Sequence, residues 1–341
     1  MPAATTARRR WTREVDGELD GIAISGNGPV LLHGYDPPAG GKWVDEVIPG
    51  RLAAVDRASG EITWNGPCEV GYGRGFAAGF GPAGDVIVLG PSSQGHRAVR
   101  MSRESGELKT VEAIRPFDEG LVGEDVCITV TAGRLSGLNT EDLTEVWEYS
   151  KTGERFHRAC RIGNKLFVSY TDGKKKKQGV QIFHARSGKR AGMLVEPTLP
   201  VIHDMAAGDG EICLLTESIM GTVPQEMAVD VLMAIEQKEE GAASDTLSLL
   251  TLPGEKNAKP LWFEILATRP QDELPEVGIA ADSAKLYLVQ GAGLEVRDMV
   301  SGRALGGWTV PGLDERIDWQ VADGACLVAE ETRASIFELP A

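Results

Sequence analysis

Along this chain the apolar residues fall into short runs bounded by Gly, Asn and Asp, with a period of two rather than 3.6. Five such runs are Val30-Leu-Leu-His33, Val86-Ile-Val-Leu89, Leu166-Phe-Val-Ser169, Ile212-Cys-Leu-Leu215 and Leu286-Tyr-Leu-Val289. Their length and lack of helical spacing predict buried β-strands. A second, alternating strand follows each run and ends in a turn phrase. The clearest copies are Arg51-Leu-Ala-Ala-Val-Asp56-Arg-Ala-Ser-Gly60, before Ile62-Thr-Trp64, and Gly293-Leu-Glu-Val-Arg-Asp298-Met-Val-Ser-Gly302, before Trp308. In this phrase the Asp carboxylate caps backbone N–H groups just ahead, the Gly takes a positive φ, and the chain returns as a third strand. Weaker copies lie at 97–106, 134–147 and 180–188, and Val231-Leu-Met-Ala-Ile-Glu236 matches the alternating strand alone. The turn positions 60, 106, 143 and 188 are 46, 37 and 45 residues apart, the length of a four-stranded propeller blade.

An innermost strand before each apolar run, ending in turns such as Gly163-Asn164 or Gly208-Asp209-Gly210, completes four strands per unit. Lettering them A to D outward, the pattern predicts an all-β, seven-bladed β-propeller of four-stranded antiparallel blades at about 17–68, 69–113, 114–152, 153–198, 199–267, 268–311 and 312–341. The seventh unit runs out one strand short. Residues 8–16, containing Arg9-Arg-Trp11-Thr-Arg-Glu-Val15, repeat the outer-strand pattern. Pairing this N-terminal strand with the C-terminal blade would close the ring and remove the exposed sheet edges.

The phrase of alternating strand, Asp-x-x-Ser-Gly, short strand and Trp resembles the repeat of quinoprotein-like propellers, whose blades are called pyrroloquinoline-quinone-type repeats. The match is clear at 51–64 and 293–308, fair at 97–106, 134–147 and 180–188, and poor at 231–265. The resemblance implies that Trp11, Trp64, Trp147, Trp262 and Trp308 pack between neighbouring blades. It does not supply a cofactor. The best-known quinoprotein dehydrogenases are exported and place adjacent cysteines beside the quinone, whereas no export signal and no Cys-Cys pair is read here, so no cofactor is expected.

Composition narrows the classes further. The 341 residues are 42% hydrophobic and 25% charged, those of a folded protein with a substantial core. No apolar run reaches membrane-spanning length, and Met1 to Val15 carries Arg8, Arg9 and Arg10 with no apolar stretch behind them, so a cytoplasmic location and no membrane partner are expected. Five cysteines, an odd number without a C-x-x-C pair, read as buried hydrophobes. A formal charge of −15 argues against nucleic acid as a partner, because such binding relies on Lys and Arg displacing counterions from phosphates.

Candidate chemistry is sparse. His157 and His203 each lie eight residues before a B strand opens, at Lys165 and Glu211, which places them at equivalent heights on neighbouring A strands. With Arg155, Arg158 and Asp204 they could bind a metal, polarise a carbonyl or act as acid and base, or simply line a solvated channel. No third His falls in register, so no metal is expected. The B-to-C connections mark a second candidate, because they share one face with the D-to-A connections. They run through Tyr35 to Glu46 with Trp43, 91–96, 171–177 with four consecutive lysines, and 218–227. His33, Tyr35, Trp43, Arg74 and Asp118, with Arg158 near the channel, are the binding candidates. The lysine run would contact an acidic partner or a phosphate, or remain a solvated loop. Asp118 with Glu119, and Asp314, Glu315, Arg316 and Asp318, enter their units from the channel mouth, where carboxylates could take a hard cation. No P-loop, nucleophile elbow or dinucleotide fingerprint is present.

Two functions remain beside that of a small-molecule sensor whose ligand would fill the channel. One is a non-catalytic binding or scaffold module that holds a protein or small-molecule partner on the loop-bearing face. The other is a lyase or hydrolase built around His157 and His203, which requires both imidazoles to converge on one ligand position.

Overall fold

The computed structural model describes residues 5–24, 28–36, 48–73, 75–199, 201–218, 245–269 and 276–339. They form seven antiparallel blades, six sheets of four strands and one of five, with the four blade strands ordered A-B-C-D in each. Blade 1 comprises Glu18–Ala23, Val30–Tyr35, Gly50–Val55 and Ile62–Cys68; blade 2 comprises Ala77–Phe80, Val86–Ser92, Gly95–Met101 and Leu108–Ile114. Blade 3 runs through Glu119–Leu121, Val126–Thr131, Arg134–Asn139 and Glu145–Tyr149. Blade 4 has Glu154–Ile162, Lys165–Asp172, Lys177–His184 and Arg190–Leu199, and blade 5 has Val201–Ala207, Glu211–Ser218, Asp245–Pro253 and Trp262–Arg269. Blade 6 consists of Gly278–Asp282, Lys285–Gln290, Gly293–Asp298 and Ala304–Thr309. In blade 7 the strands Asp318–Ala322, Ala325–Ala329 and Arg333–Glu338 are completed by Arg8–Glu14. The chain is a seven-bladed propeller.

The closing strand is in the expected register. Arg9 pairs with Phe337 and Trp11 with Ile336 across a bulge. Trp11 joins Leu327, Ile336, Val30, Leu32 and Val55 in one apolar cluster, so the N-terminal strand is held by side-chain burial as well as by its ladder. Strand B of each blade is sandwiched on both faces, which is why it reads as an unbroken apolar run. Val86 to Leu89 are wholly buried.

The repeat phrase has a direct structural meaning. Asp56 Oδ1 accepts from the N–H of Ala58 and Ser59 and from the Ser59 hydroxyl; Asp298 Oδ1 does the same for Ser301. The Gly that follows lies flat under a Trp from the preceding blade. Trp64 Nε1 donates to Arg103 O at 2.7 Å while its ring covers Gly106, and Trp262 Nε1 donates to Met299 O at 2.8 Å while its ring covers Gly302. Trp11 over Gly60 and Trp147 over Gly188 repeat the arrangement. Trp308 differs, its ring lying against Gly306 of its own strand. Where the Trp is missing, the Gly is missing too. The outer strand of blade 2 has none, and the next turn carries Leu143 at φ 63°, its buried side chain filling the space, while Arg100 donates to Glu141 O in place of the indole.

One strand differs from expectation. The C strand of blade 5 is Asp245–Pro253, where Leu247, Leu249, Leu250 and Leu252 are buried, and residues 231–236 lie outside the described residues. A short apolar match there competed with a longer leucine-rich run better able to pay for its own burial. The chain forms two compact units. Residues 1–150, 185–188 and 309–341 hold blades 1, 2, 3 and 7, and residues 151–184 and 189–308 hold blades 4, 5 and 6.

Candidate functional site

In the unit of blades 4 to 6, the A strands carry a polar row built by bulges. In blade 4 the register passes from Phe156 opposite Tyr170 to Ala159 opposite Val168, so His157 and Arg158 share the single partner Ser169. In blade 5 the register skips His203, between Ile202 opposite Thr216 and Asp204 opposite Leu215. Such bulges re-aim side chains out of the pleat. The two histidines are therefore equivalent, as their spacing predicts. Each nevertheless bonds to its own B strand: His157 Nε2 lies 2.7 Å from Thr171 Oγ1, and His203 Nε2 lies 2.8 Å from Oε1 of the buried Glu217. Burial, then the charges of Arg155 and Arg158, hold His157 below the usual imidazole range.

The residue after each histidine reaches the next blade. Arg158 Nε donates to His203 O at 3.1 Å. Asp204 accepts from Met205 N at 2.8 Å and from the Ile279 N–H of blade 6, and burial pushes its carboxyl up. Arg155 is exposed on the same strand as His157.

The unit of blades 1, 2, 3 and 7 uses the same device. Asp318 of blade 7 accepts from Trp319 N at 2.7 Å and from Ile22 N of blade 1 at 3.4 Å, and Gln320 accepts from Ile24 N and donates to Ile22 O. Burial raises the Asp318 carboxyl to about 6. Arg158, Asp204 and Asp318 each stand seven residues before a B strand opens, at Lys165, Glu211 and Ala325. That register was readable in the sequence, one position beyond the histidines, but it becomes informative only once these side chains are seen to bridge A strands.

His33 is wholly buried, with Asp20 at Nδ1, Val70 O 3.0 Å from Nε2, and Phe76 stacked on its ring at 4.5 Å. Asp20 is itself the bulged residue of its strand. The histidine is thus a clamp between strands A and B and the segment beyond strand D, and presents nothing to a ligand. Tyr35 is buried too. Its hydroxyl donates to Glu18 Oε2 at 2.7 Å and its ring tilts against Tyr72 at 4.4 Å; burial, and then Glu18, push the phenol above its usual range. Asp118 is exposed, its N–H donating to Val130 O. Trp43 and Arg74, with most of 35–46 and 218–227, lie outside the described residues.

Two of the four supposed insertions are tight hairpins. Strands Val86–Ser92 and Gly95–Met101 take up residues 91–96, and Lys165–Asp172 and Lys177–His184 leave only four turn residues between them. On the opposite turn face a cleft of about 700 Å³ is lined by Arg10, Asp56, Arg57, Arg103, Glu104 and Asp323. Its charges are mixed, Asp56 already caps its own turn, and Arg57 donates to Ala322 O of blade 7 at 2.6 Å. Among the described residues, no three His, Cys, Asp or Glu side chains are placed to hold a metal ion, and no helix is long and apolar enough to cross a membrane.

No family model matches the chain, and no curated protein matches it. Among solved structures it is similar to BamB from Moraxella catarrhalis, with 11% identity over 98% of both chains and a TM-score of 0.51. Blade count and this likeness agree on the fold, a seven-bladed propeller, and the turn phrase with its Trp and Gly keeps its resemblance to the quinoprotein-like repeat.

Proposed function

We propose that the protein is a non-catalytic binding or scaffold module that holds a protein or small-molecule partner on the face bearing the B-to-C and D-to-A connections. One observation carries the reading. The residues best suited to acid–base work are occupied as joints, with His157 on Thr171, His203 on Glu217, and Arg158 and Asp204 on the neighbouring A strands. A catalytic pair needs a common position within reach of both groups. These contacts instead tie each imidazole to its own blade. The charge of −15 supports a partner other than nucleic acid, and five buried cysteines, an odd number, suit a reducing compartment such as the cytoplasm.

The lyase or hydrolase reading keeps one supporting feature, the exposed His203 beside a buried carboxylate. The test is affinity purification of the tagged full chain from its native cell, with His157→Ala and His203→Ala alongside. A binding module brings down one stoichiometric partner, retained by both variants. Absence of any partner, together with turnover of a cell metabolite that His203→Ala abolishes, would overturn the reading.

A further inference from the structure

Charge is unevenly distributed along this acidic chain. Residues 153–198, which make blade 4, hold eleven Lys and Arg against three Asp and Glu, a formal +8 within a total of −15, leaving −23 for everything else. Four of the eleven sit together on the B-to-C hairpin, and its backbone is built to present them. Asp172 Oδ1 accepts from the N–H of Lys174 at 2.8 Å and of Lys175 at 3.0 Å, while Asp172 O accepts from Lys176 N at 2.8 Å. Lys176 takes a left-handed φ of 56°, and Gly173 N donates to Gly153 O at 2.7 Å, anchoring the turn to the entrance of strand A. The one carboxylate of the turn is thus spent on main-chain N–H groups. Lys174, Lys175 and Lys176 are exposed and Lys177 is half-buried.

The adjoining strand adds to the field. Arg155 pairs in register with Thr171 at the hairpin's root and is exposed. Among the described residues, no carboxylate comes within ion-pair distance of Arg155 or of Lys174 to Lys177. Elsewhere in the protein the basic side chains are commonly paired, as Lys109 and Arg100 are with Asp85 and Arg297 with Glu264 and Glu295. The same positive field reaches His157, whose imidazole is held low first by burial and then by Arg155 and Arg158. A fixed turn carrying four like charges against the single carboxylate of Asp172, which already feels Lys174 and Lys175, keeps an excess of positive charge that an anion relieves.

We propose that the Lys174–Lys177 hairpin, with Arg155, is the docking site for an acidic peptide segment of a partner protein. This rests on the binding-module reading and names its partner's chemistry. Lysines are mobile point charges without the flat fork that grips one phosphate in two bonds, so they suit several carboxylates strung along a chain. The patch is the width of a hairpin, a few extended residues of an acidic segment. A nucleic acid or an anionic membrane would extend beyond the hairpin and be opposed by the remaining −23 of the chain.

The experiment uses the full chain and a fluorescein-labelled octaglutamate peptide, read by anisotropy at 25 and 150 mM NaCl. The variant Lys174→Gln/Lys175→Gln/Lys176→Gln/Lys177→Gln should weaken binding at 25 mM at least tenfold, and Arg155→Gln alone about threefold. A control that removes four cations elsewhere, Lys189→Gln/Arg190→Gln/Lys285→Gln/Arg303→Gln, should weaken it less than threefold. The quadruple Lys→Arg variant, which preserves charge, should bind within threefold of wild type. Circular dichroism and the melting temperature confirm that each variant folds. The proposal fails if the two quadruple Gln variants weaken binding equally. It also fails if a 20-mer of deoxythymidine, or vesicles containing 30% phosphatidylserine, bind more tightly than the peptide. A stoichiometric native partner that the Lys→Gln variant still retains refutes this docking site while leaving the binding-module reading standing. Absence of any native partner refutes that reading whatever the peptide does.

Discussion

The Trp and Gly pairs make a sharp energetic prediction. Gly106 has φ 69°, and a Cβ placed on it would sit 2.5 Å from Trp64 Cε3, well inside contact distance. Gly106→Ala should therefore carry two costs. The left-handed backbone costs an L-residue about 1–2 kcal/mol, and forcing the Trp64 ring off its seat, with its 2.7 Å bond to Arg103 O, costs about 1–3 kcal/mol more. The control is Gly163→Ala, at φ 53° with open space around the new methyl group, which carries the first cost alone. For 341 residues the sum of about 2–5 kcal/mol lowers the melting temperature by about 3–7 °C. Scanning calorimetry, supported by urea titration followed by circular dichroism, measures both variants. Trp64→Leu removes the ring, so in the double variant the second cost should disappear and leave a coupling of about 1–3 kcal/mol. Equal losses for Gly106→Ala and Gly163→Ala, or strict additivity with Trp64→Leu, would show that the blades are not latched in this way.

Other expectations follow from the joints. Asp318 has a folded-state pKa of about 6 against an ordinary 3.8, so the folded protein holds this proton more tightly than the unfolded chain. Its contribution is therefore fully present below about pH 4 and is lost as pH rises through 6; Asp318→Asn should stabilise by about 1–3 kcal/mol at pH 8 and by nothing at pH 4. Urea midpoints of the two proteins across that range test the sign. His33→Ala should cost about 3–5 kcal/mol, because it strands the Asp20 carboxylate in the interior, and adding Asp20→Asn should recover part of that loss in thermal melts. Deleting residues 1–15 strips the outer strand from blade 7 and exposes Ile336 and Phe337 and their strand edge. The truncated chain should aggregate on size-exclusion chromatography, and a soluble monomer of native melting temperature would contradict the closure.

The fold was legible because its signals are local. A turn that needs an Asp, a Ser and a Gly in order, and a strand buried on both faces, leave their marks on consecutive residues. The histidine register was legible for the same reason, since equal spacing to strand B fixes equal height in a repeated unit. Blade 5 escaped at 231–236 because a four-strand template tolerates an extra apolar run, and the rival run at 245–253 lies beyond the usual spacing. The partners of His33 and Tyr35 are not legible, because a polar group at the end of an apolar strand has the same sequence signature whether it meets a ligand or, as in this fold, Asp20 and Glu18.

By itself the sequence determined the all-β class, the seven units, the borrowed outer strand and the concentration of positive charge in residues 153–198, all of which depend on short-range chemistry and counting. Only the tertiary structure decided what the polar side chains touch. Thr171, Glu217, Ile279 and Ile22 lie 14 to 296 residues from the candidate residues they meet, and nothing in the chain marks them, because pairing of strands A and B and of neighbouring A strands buries polar groups that must find partners.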